Sequence, residues 1–174
     1  MTSEEHGDLN ARLAERARSG DADALVKVAE RWWRPIYRFL WNMSGSTSFS
    51  ARATEQTLLA AIRSREPPGS SADSLQVFLY RVALHFALLR PGSVPPSTTP
   101  ADAAATLREA LLRMDALDRA RVVLHEIEQL SLGQIAAVMS TPPDETRSRV
   151  YRSLLALTDS VTHTLDSIAL RATG

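Results

Sequence analysis

The sequence of 174 residues contains no cysteine, only one lysine, and no apolar run close to the roughly 20 residues that a membrane-spanning helix needs. The missing cysteine excludes disulfides, thiolate metal ligands and cysteine nucleophiles. Twenty basic and twenty acidic residues balance, so no net charge draws the whole protein to nucleic acid or to an acidic membrane. Any nucleic-acid binding must therefore come from a local basic surface.

Sequence signatures of catalysis are also missing. His125 and Glu126 begin like the zinc-protease motif H-E-x-x-H, but Gln129 stands where the second histidine ligand is required. The chain has no glycine-rich phosphate loop and no G-x-S-x-G motif, and its four histidines lack ligand spacing. We expect no enzyme activity, no metal site and no cofactor.

The first ten residues, MTSEEHGDLN, are polar and acidic, whereas a secretory signal is basic and then apolar. With 44% apolar residues, the chain has enough hydrophobic material for one or two small folded domains. We expect a cytoplasmic protein without membrane insertion.

Prolines divide the chain into two helical blocks. Residues 91–101 (PGSVPPSTTPA) contain four prolines, which remove backbone donors and prevent a helix. We therefore predict a first domain at 1–90, a linker at 91–101 and a second domain at 102–174. No stretch favours strands, so the predicted fold class is all-α: two small helical domains joined by a Pro-rich linker. Shorter breaks are predicted at 44–50 and 66–73.

Three helices are predicted in the first block. The first covers 21–42, should be kinked by Pro35, and has an apolar stripe for the core: Leu25, Val28, Ala29, Trp32, Ile36, Phe39 and Leu40. The others cover 51–64 and 74–89, and the 74–89 helix is apolar nearly all round, as a buried helix is. Arg81 and His85 share one stripe of it, which is either a solvated edge or a ligand-binding face.

A helix-turn-helix is predicted between Ser131 and Leu157. Its first helix begins with a capping box of Ser131 and Gln134. It has one apolar face, formed by Leu132, Ile135, Ala136 and Met139. For its second helix we predict Thr141 as the N-cap, Pro142 in the first helical position and Asp144 at the positive helix end.

The second helix of this motif has two distinct faces. Its inward stripe comprises Thr146, Val150, Leu154 and Leu157. Glu145, Ser148, Arg149 and Arg152 lie on or beside the opposite side, where such a helix contacts guanine edges or phosphates. The inward register continues through Val161, Leu165 and Ile168, which predicts an extended or bent C-terminal helix. A supporting helix is predicted at 116–130, with Leu117, Ala120, Leu124, Ile127 and Leu130 inward.

These features together resemble the extracytoplasmic-function (ECF) sigma factors, small members of the sigma-70 family that keep only regions 2 and 4. The most specific motifs are VFLYRVA at 77–83, LSLGQIAAVM at 130–139 and RSRVYR at 147–152. The resemblance covers nearly the whole chain: 18–41 is similar to region 2.1, 51–64 to region 2.2, 74–90 to regions 2.3 and 2.4, and 116–157 to region 4.

The resemblance implies a transcription initiation factor that binds core RNA polymerase, promoter DNA and an anti-sigma factor. Region 2.2 would dock on polymerase through Glu55, Gln56 and Leu59. Regions 2.3 and 2.4 would open and contact the −10 element through Phe78, Tyr80, Arg81 and His85. Region 4 would contact the −35 element through Arg147, Ser148, Arg149, Tyr151 and Arg152.

A second hypothesis remains open. The second helix of the motif continues as Ser153-Leu154-Leu155-Ala156 rather than as a basic run. This composition favours a sigma-like regulatory protein whose leucine-rich surfaces, including Leu155, bind an anti-sigma factor or another regulator without initiating transcription.

Overall fold

The computed structural model describes residues 12–13, 15–17, 19–63, 72–89 and 103–172. These ranges form helices and turns without a strand, which confirms the all-α fold class. The principal helices are α1 (Ala22–Ser44), α2 (Thr47–Arg63), α3 (Ala72–Leu89), α4 (Ala103–Arg113), α5 (Ala116–Val122), α6 (Leu132–Met139) and α7 (Pro143–Ala172). The predicted linker at 91–101 and residues 66–71 of the predicted break lie outside the described residues.

Helix α1 has well-defined ends. The Asp21 carboxylate accepts the backbone N–H groups of Asp23 and Ala24, and these bonds together with Arg16 hold the pKa of Asp21 below its usual value. Gly45 ends the helix at φ 70°, with its N–H on the Trp41 carbonyl. Most of the predicted core stripe is buried, whereas Leu25 and Ala29 are only partly covered. Pro35 lies inside the helix.

The predicted break at 44–50 is present but shorter than predicted, because only Gly45 and Ser46 separate α1 from α2. The Ser46 hydroxyl accepts the Phe49 N–H at 3.3 Å and so supports a helix start at Thr47. The prediction that α3 is buried is confirmed for most of its length, although Leu88 and Leu89 at its end are exposed.

The supporting helix of the second block is shorter than predicted. Helix α5 ends at Val122 and continues as a π-helical turn, Val123–Ile127, in which the Glu128 N–H donates to the Val123 carbonyl at 3.0 Å. Gln129 then adopts φ 56°. Leu117 is exposed, so its predicted core position is wrong, whereas Ala120, Leu124 and Leu130 are buried as predicted. Helix α4 had no counterpart in the sequence-based prediction.

The helix-turn-helix is confirmed, with corrections at both ends of its second helix. The capping box of Ser131 and Gln134 is present. Helix α7 begins at Pro143 instead of Pro142, and the Thr141 hydroxyl pairs with the Thr146 hydroxyl at 2.7 Å rather than capping the helix. Beyond Leu157 the helix continues unbroken to Ala172; there Leu165 is exposed, contrary to the prediction.

The two blocks pack against each other, and their buried residues form one continuous hydrophobic cluster. At the end of α1, the Arg108 guanidinium lies 4.1 Å from the centre of the Trp41 ring. The Arg119 side chain, also buried there, donates to the carbonyls of Met43, Leu112 and Met114. Burial lowers the pKa of Arg119. These arginines join α4 and α5 to the end of α1.

Candidate nucleic-acid interface

We call the residues predicted to contact the −35 element the recognition face: Arg147, Ser148, Arg149, Tyr151 and Arg152. All five are exposed on α7. The opposite side of the helix is buried through Thr146, Val150 and Leu157, and Leu154 is half-buried, as the helical periodicity predicts. The packing of α7 on α5 and α6 therefore leaves its basic side in solvent.

A shallow cleft of about 280 Å³ lies beside the recognition face, lined by Asp118 of α5 and by Arg149, Arg152, Ser153 and Ala156 of α7. The Ser153 hydroxyl donates to Asp118 Oδ1 at 2.9 Å, and the buried Arg121 guanidinium lies 2.6 Å from the same oxygen. Asp118 therefore connects the supporting helix to the recognition helix and sets how α7 is presented.

The arginines of the recognition face differ in their partners. Arg149 pairs with Glu145 of the same helix, with 2.5 Å between Nη2 and Oε1. The side chains of Arg147 and Arg152 make no hydrogen bond or ion pair with any residue that the structure describes. Their guanidinium groups are consequently available to a phosphate or to a base edge without first leaving a carboxylate.

The residues predicted to contact the −10 element, which we call the α3 set, do not lie on one face. Phe78, Arg81 and His85 follow the i, i+3, i+7 spacing of a single stripe, whereas Tyr80 points elsewhere. Arg81 and His85 are exposed and Phe78 is half-buried, but Tyr80 is only 1% exposed. Arg81 and His85 are thus accessible on this stripe, whereas Tyr80 can contact DNA only after it becomes exposed.

Tyr80 is buried in what we call the Glu128 cluster, formed by Arg38, Tyr80 and Glu128. The Tyr80 hydroxyl donates to Glu128 Oε2 at 2.7 Å. Arg38 donates to both carboxylate oxygens of Glu128, from Nε to Oε1 at 2.9 Å and from Nη2 to Oε2 at 2.7 Å. The Glu128 side chain is 1% exposed, whereas that of Arg38 is 54% exposed. Burial and the adjacent carboxylate raise the pKa of Tyr80, and the hydrogen bond to Glu128 raises the pKa of Arg38.

Sequence reasoning missed Arg38 and Glu128. Arg38 stands among solvent-facing positions of α1, and Glu128 reaches the interface through the π-helical turn, which no periodicity in the sequence indicated. A second contact across the blocks joins Arg81 Nη2 to the Ala137 carbonyl of α6 at 2.6 Å. Arg38, Tyr80 and Arg81 of the first block thus all donate hydrogen bonds to the second block.

The residues predicted to bind polymerase lie together on α2. Glu55 and Gln56 are exposed and Leu59 is half-buried, whereas the adjacent Leu58 belongs to the core. Their roles stay predictions, as do those of the recognition face and the α3 set.

Among the residues that the structure describes, no three histidine, aspartate or glutamate side chains are grouped as a metal site would need. None of the helices in the described ranges is long and apolar enough to cross a membrane.

Two helical blocks pack against each other, and the second contains a helix-turn-helix, which is the all-α arrangement that the sequence predicted. A chain from the structure of CnrH in complex with the cytosolic domain of CnrY has this fold, with a TM-score of 0.71 and 19% identity over 90% of this chain and 99% of that one. A chain from the structure of the RsbN-BldN complex is 20% identical over 84% of this chain and 97% of that one, with a TM-score of only 0.40. The sequence matches no family model and no curated protein.

Proposed function

We propose that the protein is an ECF-type sigma factor that binds core RNA polymerase and directs it to promoters with −10 and −35 elements. The observation that carries this proposal is the recognition face, an exposed basic side of the second helix of a helix-turn-helix, in a chain with the fold of CnrH. Since the whole chain has no net charge, this local surface is what favours DNA binding. The protein would act in the cytoplasm and carry no chemistry of its own, because polymerase supplies catalysis.

The decisive experiment is co-purification with core RNA polymerase followed by run-off transcription from genomic DNA. We expect a complex with core polymerase and discrete transcripts that depend on this protein. The double variant Arg147→Ala/Arg152→Ala should still bind core polymerase, because both changes lie on the surface of α7. It should lose the transcripts, because both arginines belong to the recognition face. Failure of the wild-type protein to bind core polymerase would contradict the proposal.

A second candidate function is that of a sigma-like regulatory protein which binds an anti-sigma factor or another regulator without initiating transcription. It is favoured by the apolar side chains exposed on α7, of which Leu155 is 66% exposed. CnrH, whose fold this chain shares, was itself solved in complex with the cytosolic domain of CnrY. A stable complex with a small helical protein, combined with no binding to polymerase or DNA, would favour this candidate.

A further inference from the structure

One tryptophan of α1 is exposed and plays no part in the hydrophobic core. Of the adjacent pair Trp32 and Trp33, Trp32 is 7% exposed and belongs to the core, whereas Trp33 is 41% exposed. Aromatic side chains are enriched at binding sites, because a flat ring offers a large apolar contact area. The residues around Trp33 indicate which kind of ligand it could contact.

Trp33 lines a cavity of about 550 Å³ on the side of α1 that faces away from the core. The other described residues that line it are Arg34, Pro35, Tyr37 and Arg38. Pockets for small ligands measure about 300–1,000 Å³ and combine apolar walls with a few polar groups. Two aromatic rings and two guanidinium groups supply both kinds of group here. Since no acidic side chain lines the described part of the cavity, its charge favours an anion.

Both arginines of this cavity can bind an anion. The Arg34 side chain is exposed and makes no hydrogen bond or ion pair with any residue that the structure describes. Arg38 donates to Glu128 through Nε and Nη2 only, so most of the N–H donors of its guanidinium group remain unused. The bonds to Glu128 also fix the orientation of this group, so less entropy is lost when an anion binds. A phosphate chain can therefore bind Arg34 and Arg38 while the Glu128 cluster stays intact.

Pro35 provides a hydrogen-bond acceptor close to the aromatic rings. Because proline has no N–H, the Arg31 carbonyl lacks the helical donor that residue 35 would otherwise supply. This carbonyl lies one turn before Pro35 on the same side of α1, and Arg31 is exposed. It can accept a hydrogen bond from an amino group on a ring that stacks on Trp33. A flat ring with N–H donors, joined to phosphates, thus complements the cavity.

We propose that this cavity binds a free purine nucleotide, with its base stacked on Trp33 and its phosphates on Arg34 and Arg38. An amino group of the base donates to the Arg31 carbonyl. A purine is favoured over a pyrimidine because its two fused rings cover more of the indole. Nucleotide binding here is independent of the proposed function, because it needs neither polymerase nor promoter DNA.

Isothermal titration calorimetry of the full-length protein, without polymerase, measures binding of ATP, GTP, CTP and inorganic tripolyphosphate. Tripolyphosphate carries the phosphates without a base, so the difference between it and ATP reports the contribution of the base. We expect ATP and GTP to bind about tenfold more tightly than tripolyphosphate, because stacking adds to the phosphate contacts. CTP should bind more weakly than either purine nucleotide.

Substitutions separate the base from the phosphates. Trp33→Ala should lower the affinity for ATP to that for tripolyphosphate, whereas Trp33→Phe, which keeps a ring, should retain most of the difference. Arg34→Ala should weaken both ligands by about tenfold, because a charge-assisted hydrogen bond is lost. Exposed Val26→Ala and Lys27→Ala on the same helix are the matched controls and should change neither affinity. Circular dichroism checks that each variant is folded.

The acceptor carbonyl is tested with Pro35→Ala. This change returns an N–H donor to the Arg31 carbonyl, so ATP should bind about fivefold more weakly and tripolyphosphate should be unaffected.

Four results would overturn the proposal. Equal affinity for ATP and tripolyphosphate would show that the cavity attracts anions without recognising a base. Equal affinity for CTP and the purine nucleotides would contradict the choice of a purine. Unchanged ATP binding in folded Trp33→Ala would place the nucleotide elsewhere, and binding of a mixed-sequence single DNA strand without binding of ATP would assign the cavity to nucleic acid. Co-purification with core polymerase tests the proposed function separately.

Discussion

The two surfaces predicted to meet DNA face different surroundings in this structure. The recognition face on α7 lies in solvent, and its Arg147 and Arg152 have no partner among the described residues. The α3 set lies at the contact between the blocks, where Tyr80 and Arg81 already donate to groups of the second block. The recognition face can therefore meet a DNA duplex in the observed arrangement. Tyr80 can contact a melted strand only if the two blocks rearrange.

The largest expected effect comes from removing the arginine of the Glu128 cluster. Arg38→Ala leaves the 1% exposed Glu128 carboxylate without its countercharge, so we expect the free energy of unfolding to fall by about 3 kcal/mol. Arg34→Ala, on an exposed position one turn earlier, should change it by less than about 0.5 kcal/mol. Urea unfolding of both variants measures the difference, and equal effects would show that the buried pair does not join the blocks.

On the recognition face, the expected effect is on DNA affinity rather than on folding. Arg152→Ala should weaken binding to a duplex with the −35 element by about 1–3 kcal/mol, and a lost phosphate contact should make the salt slope shallower by roughly 0.9. Arg149→Ala should lose less, because Arg149 already pairs with Glu145. Affinity is measured across a salt series with exposed Arg52→Ala of α2 as the control. An equal loss from Arg52→Ala, or a large drop in stability for Arg152→Ala, would contradict the assignment.

The phenol of Tyr80 provides a test of the interface at alkaline pH. Its pKa is raised by burial and by Glu128, whereas in the unfolded chain it is about 10. Its contribution to stability is therefore fully present below about pH 10 and is lost as the pH rises further, because only the unfolded chain readily releases the proton.

Tyr80→Phe should lower the free energy of unfolding by about 1.5 kcal/mol at neutral pH, through the lost hydrogen bond to a charged group. The variant should also lose less stability than the wild type between neutral pH and about pH 11. Thermal melting at a series of pH values measures both effects, with half-buried Tyr37→Phe as the control. Parallel alkaline curves for the wild type and Tyr80→Phe would contradict the role of the phenol.

The smallest expected effect concerns the ion pair on the recognition face. Glu145→Gln releases Arg149 and removes a negative charge near the DNA, so duplex affinity should rise by about 0.5 kcal/mol, the scale of an exposed i,i+4 pair. Glu109→Gln, which breaks the similar pair with Arg113 on α4, should not change DNA affinity. Weaker binding by Glu145→Gln would indicate that the carboxylate itself contacts a base.

Local rules account for the parts of the fold that sequence reasoning predicted well. The capping box of Ser131 and Gln134 and the inward stripe of α7 depend on residues three or four positions apart, and both are present. The long stripe of α1 and the exposed side of α7 follow from the same periodicity. The assignment of individual DNA contacts rests on the family resemblance and awaits the experiments above.

The failures lie where distant residues decide the conformation. A regular helix was predicted through Leu130 because the apolar spacing continues, but the chain forms a π-helical turn after Val122, where it contacts α1 of the first block. Leu117 and Leu165 satisfy the apolar spacing and are nevertheless exposed, since no neighbouring element covers those parts of α5 and α7 in the described ranges. A periodic pattern shows which side of a helix is apolar, but it does not show how far the covering surface extends.

The sequence by itself determined the all-helical class, the helix-turn-helix and the basic side of α7, because these follow from composition, capping and contacts within a turn or two of helix. Only the tertiary structure decided that Glu128 meets Arg38 and Tyr80, which stand 90 and 48 positions away along the chain. No short-range pattern encodes such a pair, because its energy depends on the burial and distance that the packed blocks create. The same packing decided which of the two proposed DNA surfaces faces solvent.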